Sequence, residues 1–120
     1  SYATWIAGVA VKLPSGTPSG QSLHFLRFLT SGNLKVEARI DSGCAAIYTN
    51  SNYRASSTIR HNDNDWHYYE LKATQDNSGG GFGDVILRMD GEVVATATNV
   101  VFNTSNFGNF ATVDVGNISS

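Results

Sequence analysis

The chain has 120 residues, a formal net charge of −2 and only 15 % charged residues, against about 25 % in an average protein. This balance excludes the basic surface typical of proteins that bind nucleic acid or an anionic membrane, and no apolar stretch is long enough for a membrane span. Ser, Gly, Asn and Thr together supply 46 residues, a composition that favours strands and turns over helices. The single cysteine excludes an intrachain disulfide.

Short apolar runs bounded by Gly, Ser, Asn and Asp predict nine β-strands and no helix, because no window has helical periodicity. The predicted strands are, in chain order, 4–13, 23–30, 34–40, 44–49, 53–60, 66–74, 84–89, 92–98 and 111–118. Turns or loops are predicted at 14–20, 31–33, 41–43, 61–65, 75–83, 90–91 and 99–109. The Asp-Gly pair at 90–91 is the strongest hairpin signal, since its turn needs positive φ. We therefore predict one all-β domain over residues 1–120, an antiparallel β-sandwich.

Alternation of apolar and polar residues assigns the faces of several strands. In strand 34–40 four apolar residues alternate with Lys35, Glu37 and Arg39, which we expect in solvent. Strand 23–30 is apolar on both faces and is predicted to lie inside a sheet. The first strand is predicted to face the core through Trp5, Ala7, Val9, Val11 and Leu13. The predicted core contains Val9, Val11, Leu34, Val36, Ala38, Ile40, Tyr69, Leu71, Leu87, Met89, Val113 and Val115.

Four segments in order resemble strands of laminin-G-like domains of the concanavalin A-like lectin and glucanase superfamily. They are a strand opened by Trp66, the strand–Asp-Gly–strand hairpin at 85–94, the apolar strand 113–116 that ends in Gly, and the early strand 4–12. The resemblance covers most of residues 4–116 and implies a jelly-roll sandwich. One departure is Arg88, which stands where the family often has Tyr and places a charge on the outer face.

The resemblance also implies further strands before the first match and after the last. Residues 1–120 are therefore interpreted as a segment of a longer chain. Unpaired sheet edges invite pairing with another chain, so we also expect an oligomer or a strand donated by a partner as the alternative.

Catalysis is not expected. Glycoside hydrolases of this fold need two carboxylates that face one cleft, and here the aspartates fall mostly in turns. The three glutamates, Glu37, Glu70 and Glu92, are each isolated from another acid on their own strand. No Gly-x-Ser-x-Gly nucleophile motif is present. A fragment of a glycoside hydrolase or lyase is kept only as a remote alternative.

The polar segment 61–65 offers Asp63 and Asp65 as weak candidate ligands for Ca²⁺, which prefers oxygen. It lacks the Gly and distal Glu of an EF-hand loop, so we interpret it as a turn and predict no metal or other cofactor.

A sugar site is the sharper hypothesis, because such sites stack an aromatic ring on the sugar and hold its hydroxyls with polar side chains. The aromatic residues near polar loops are Tyr48, Tyr53, Trp66, Tyr68 and Phe107. Trp66 and Tyr69, however, more often belong to the core. The candidate ligand-binding residues are Tyr48, Asn50, Tyr53, Arg54 and His61.

We therefore expect a non-catalytic recognition or assembly domain at an extracellular or virion surface, lectin-like, with a glycan or another surface or virion protein as partner. The alternative is a structural virion domain of a tail fibre, spike or capsid decoration, without a glycan site. Neither nucleic acid nor a membrane is an expected partner.

Overall fold

The structure, a computed structural model, describes residues 2–13, 22–30, 33–60, 63–76, 82–101 and 112–118. These residues form nine strands and no helix, as predicted: β1 (Tyr2–Lys12), β2 (Ser22–Thr30), β3 (Asn33–Asp41), β4 (Cys44–Thr49), β5 (Asn52–Ser56), β6 (Trp66–Asp76), β7 (Phe82–Met89), β8 (Glu92–Val101) and β9 (Thr112–Ile118). A helix long and apolar enough to cross a membrane does not occur among them.

The strands form two antiparallel sheets that pack face to face, which confirms the predicted β-sandwich. The four-stranded sheet has the order β1-β6-β7-β8, and the five-stranded sheet has the order β5-β4-β3-β2-β9. Strand β2 lies between β3 and β9, inside a sheet as predicted.

Several predicted bounds were wrong. The fifth strand ends at Ser56 instead of continuing to residue 60, and the predicted loop 75–83 begins and ends inside strands. Gln75 pairs with Gly83, so β6 and β7 extend the hairpin by several residues. Strand β8 likewise continues to Val101, past Asn99, which has a positive φ of 52°. Polar and glycine-rich composition marked these segments as loops, but cross-strand pairing decided their structure.

The core lies between the sheets, and most of its predicted residues are confirmed. Six of them are fully buried: Val36, Ala38, Ile40, Tyr69, Leu71 and Leu87. Val9, Val11 and Met89 are partly buried and pack against the core, as do Trp5, Ala7 and Leu13. The side chains of Leu34, Val113 and Val115 lie outside the described residues. The prediction missed Phe25, Leu26, Phe28, Ala45, Ile47, Ala73, Val85, Ala95 and Ala97.

Two-residue turns connect three of the hairpins. Asp90 and Gly91 have φ values of 52° and 87°, which confirms the predicted turn. The β3–β4 turn repeats this conformation at Ser42 and Gly43, with φ values of 51° and 86°. The β4–β5 turn does so without glycine, because φ is 50° at Asn50 and 66° at Ser51.

The outer face of the four-stranded sheet carries large apolar side chains in solvent. Trp66 is 63 % exposed, so its assignment to the core was wrong; it opens β6 on the side that faces away from the five-stranded sheet. On the same face, Ile6 is 57 % exposed and Tyr68 is 50 % exposed. The Tyr68 ring lies over Gly8, where an added Cβ would overlap its hydroxyl, so glycine leaves the space that this ring occupies.

Candidate functional site

The outer face of the five-stranded sheet, here named the polar face, carries an interconnected set of charged and aromatic side chains. Its members point away from the four-stranded sheet on β2, β3, β4 and β5: Ser22, His24, Arg27, Glu37, Arg39, Asp41, Tyr48 and Tyr53. The same alternation that sends the apolar residues of these strands into the core brings the polar ones together here.

Glu37 is the centre of the polar face and is completely buried. One carboxylate oxygen accepts a hydrogen bond from Arg39 Nε at 2.5 Å, and the other lies 2.8 Å from His24 Nδ1. Strand register also places Arg27 of β2 and Tyr48 of β4 directly opposite Glu37. A buried carboxylate needs such partners, because its desolvation is costly when it is unpaired.

The expectation that Glu37 and Arg39 are solvated was therefore wrong for Glu37, and Arg39 has only 18 % of its side chain exposed. Alternation with a period of two shows which face of the strand a side chain is on, but not whether side chains of neighbouring strands cover it. Because β3 is the central strand of five, long side chains on both neighbouring strands cover the carboxylate. The side chain of Lys35 lies outside the described residues.

Tyr48 is fixed on both its ring and its hydroxyl. The guanidinium carbon of Arg39 lies 3.8 Å from the ring centroid, a cation–π contact. The hydroxyl donates to Asp41 Oδ2 at 2.5 Å, and Ser22 Oγ donates to the other oxygen of Asp41 at 2.6 Å. Burial, followed by the hydrogen bond to Asp41, raises the pKa of Tyr48, so its hydroxyl stays protonated at neutral pH.

Tyr53 extends this arrangement to the solvent. Its ring meets Tyr48 edge to face, with centroids 5.8 Å apart and an interplanar angle of 77°. Its hydroxyl lies 2.9 Å from Ser56 Oγ, and the residue is 57 % exposed. The two predicted tyrosines are thus brought together, one fixed within the polar face and one presented at its edge.

The other predicted ligand-binding residues are placed differently. Asn50 occupies the first position of the β4–β5 turn. Arg54 lies at a β-bulge, and its Nε donates to the hydroxyl of the buried Thr49 at 2.6 Å. It therefore engages Thr49 instead of the tyrosines. His61 lies outside the described residues.

The prediction missed His24, Glu37, Arg39 and Asp41 as members of the site. For β3 a signal was available, because the two-residue turn at 42–43 pairs Asp41 with Cys44 and hence Glu37 with Tyr48. The pairing partner of His24 could not be derived from a turn in this way. A register shift between His24 and Leu26 separates it from regular pairing, and a bulge has no reliable sequence signal.

A second polar cluster lies at the start of β6. His67 Nδ1 is 2.7 Å from Asp90 Oδ2, and His67 Nε2 is 2.8 Å from Asp63 Oδ2. The hydrogen bond with Asp90, supported by that with Asp63, raises the pKa of His67, and the hydrogen bond with His67 lowers the pKa of Asp63. With both ring nitrogens facing carboxylates, the charged imidazolium is favoured.

The carboxylates of Asp63 and Asp65, the weak candidate ligands for Ca²⁺, accept hydrogen bonds next to this cluster. Asp63 Oδ1 accepts from the backbone N–H of Asp65, and Asp65 Oδ1 accepts from that of Trp66. Within the described ranges, no group of three His, Cys, Asp or Glu side chains is placed to hold a metal ion.

No protein-family model matches this chain, and no curated protein has significant similarity to it. The polar face is therefore interpreted from its own chemistry.

Proposed function

We propose that this chain is a non-catalytic, lectin-like recognition domain that binds carbohydrate on the polar face. The observation that carries the proposal is the Tyr48–Tyr53 pair, in which an exposed ring stands beside a fixed one that contacts Arg39 and Asp41. An exposed aromatic ring stacks on the apolar face of a sugar, and adjacent polar groups bind its hydroxyls. Surface recognition of this kind suits an extracellular or virion surface.

The state of the two carboxylates on this face supports a binding role over hydrolysis. Glu37 is buried and paired with Arg39 and His24, and Asp41 accepts hydrogen bonds from Tyr48 and Ser22. Both carboxylates are thus engaged by neighbouring side chains, whereas a hydrolase needs two carboxyl groups that face its substrate.

The test is glycan-array binding by Tyr53→Ala, measured together with its melting curve. We expect binding to be lost while the melting temperature changes little, because Tyr53 is exposed. Trp66→Ala is the matched control, since it removes an equally exposed ring from the opposite sheet and should keep binding. Retained binding in Tyr53→Ala, or no glycan bound by the unmodified protein, contradicts the proposal.

A second candidate function is assembly into a larger surface structure, such as a virion fibre, spike or decorated capsid. The observation that favours it is an exposed aromatic pair on the outer face of the four-stranded sheet, Trp66 and Tyr68, which lie two residues apart on β6. Ile6, Phe82 and Val93 are exposed elsewhere on the same face. Exposed apolar patches mark interaction surfaces. Sedimentation velocity separates the candidates: an oligomer dissociated by Trp66→Lys but not by Tyr53→Ala supports assembly, and a monomer that binds glycans supports recognition.

A further inference from the structure

Arg39 is held in one orientation on the polar face, yet only part of its hydrogen-bonding capacity is used. Its Nε donates to Glu37, and its guanidinium carbon lies 3.8 Å from the centroid of the Tyr48 ring. The guanidinium also interacts with the Tyr48 hydroxyl, which leaves other N–H groups of its two terminal amino groups without a hydrogen bond to the described residues. Since 18 % of the side chain is exposed, this edge of the guanidinium is open to a ligand.

His24 lies beside this open edge. It pairs directly opposite Arg39 across β2 and β3, a position at which Cβ atoms are about 4.5–5.5 Å apart. Its Nδ1 donates to the Glu37 carboxylate at 2.8 Å. Its Nε2 has no hydrogen bond to the described part of the chain and is available to a sugar hydroxyl, which can both donate and accept.

We propose, on the basis of the carbohydrate-binding function above, that the ligand is an anionic sugar whose acidic group is bound by the terminal amino groups of Arg39. Two coplanar N–H donors match the two oxygens of a carboxylate or sulfate. Glu37 and Tyr48 fix the guanidinium before the ligand arrives, which reduces the entropy cost of binding. The His24 Nε2 binds an adjacent hydroxyl, and Tyr53 lies against the sugar ring.

The first test uses the unmodified protein and three probes: oligogalacturonate, its methyl ester and heparin oligosaccharides. The ester keeps the sugar backbone and removes the charge. We expect the acidic probes to bind about tenfold or more tightly than the ester, because charge-assisted hydrogen bonds are roughly twice as strong as neutral ones. Preference for oligogalacturonate identifies a carboxylated ligand, and preference for heparin identifies a sulfated one.

The second test is Arg39→Lys, which keeps the charge but loses the paired donors. We expect it to lose about tenfold or more in affinity for the preferred acidic probe. Arg88→Lys is the matched control, because Arg88 lies on the other sheet, 3.9 Å from Glu70, and should bind like the unmodified protein.

The outcomes separate this inference from the function on which it rests. Equal affinity for oligogalacturonate, its ester and heparin, or binding of neutral array glycans only, overturns the anionic ligand and leaves carbohydrate binding in place. Absence of binding to every glycan on the array overturns both. Because the ester comparison needs no variant, the result does not depend on whether Arg39→Lys folds.

Discussion

Gln75 carries a buried amide inside an otherwise apolar row of β6 that contains Tyr69, Leu71 and Ala73. The residue is 1 % exposed, and neither Nε2 nor Oε1 has a hydrogen-bond partner among the described residues. Replacing the amide with an apolar chain of similar length removes this desolvation cost. We therefore expect Gln75→Met to stabilise the fold.

The size of the effect follows from the unpaired amide. A buried polar group without a partner costs about 1–3 kcal/mol, and methionine fills irregular space without a strict shape. For 120 residues, an unfolding entropy of about 2.1 cal/mol/K per residue corresponds to roughly 4 °C per kcal/mol. The expected rise in melting temperature is then about 4–12 °C.

The assay is thermal and urea unfolding of Gln75→Met beside Thr96→Met, a control on the exposed side of β8. We expect the control to change stability by no more than about 0.5 kcal/mol. A lower stability of Gln75→Met would refute the reasoning, because it would mean that the amide is hydrogen-bonded in solution, for instance to an ordered water.

Two further predictions concern the ends of hairpins. Since the pKa of His67 is raised in the folded state, its contribution to stability is fully present below the unfolded pKa of about 6.5 and is lost as pH rises through the folded pKa. Urea unfolding should therefore show a decline in stability above about pH 6.5 that is absent in His67→Gln. Ser51→Gly should raise the free energy of unfolding by about 1 kcal/mol. The reason is that Ser51 has a φ of 66°, and this left-handed conformation costs a residue with a Cβ about 1–2 kcal/mol. An unchanged or lower urea midpoint would contradict this.

The sequence was most informative where one strand face was apolar without interruption. Strand β3 and the turn at 90–91 could be predicted because alternation and turn chemistry are local properties. Trp66 and Glu37 could not be placed correctly in this way. Whether an aromatic residue on a strand is buried, or a charged one covered, depends on which strands become its neighbours and on the size of their side chains.

The candidate site could be predicted only in part, because pairing between strands decides which side chains meet. Tyr48 and Tyr53 are neighbours in sequence and meet across one tight turn. His24 reaches the same face only through the pairing of β2 with β3 and the irregularity next to it. Arg54 was assigned to the site by proximity along the chain, but the bulge in β5 directs it to Thr49.

The order of strands has a consequence for how fast the chain folds. Strands β2 to β5 and strands β6 to β8 are two series of local hairpins, each of which forms in about 1–10 μs when isolated. Strand β1, however, pairs with β6 of the later series, with Tyr2 opposite Asp76, while β9 pairs with β2 of the earlier series. Both pairings join distant parts of the chain. Each therefore loses the conformational entropy of a long loop before its contacts stabilise it. Folding is therefore limited by these two dockings, in the range of milliseconds to seconds typical of β-sandwiches.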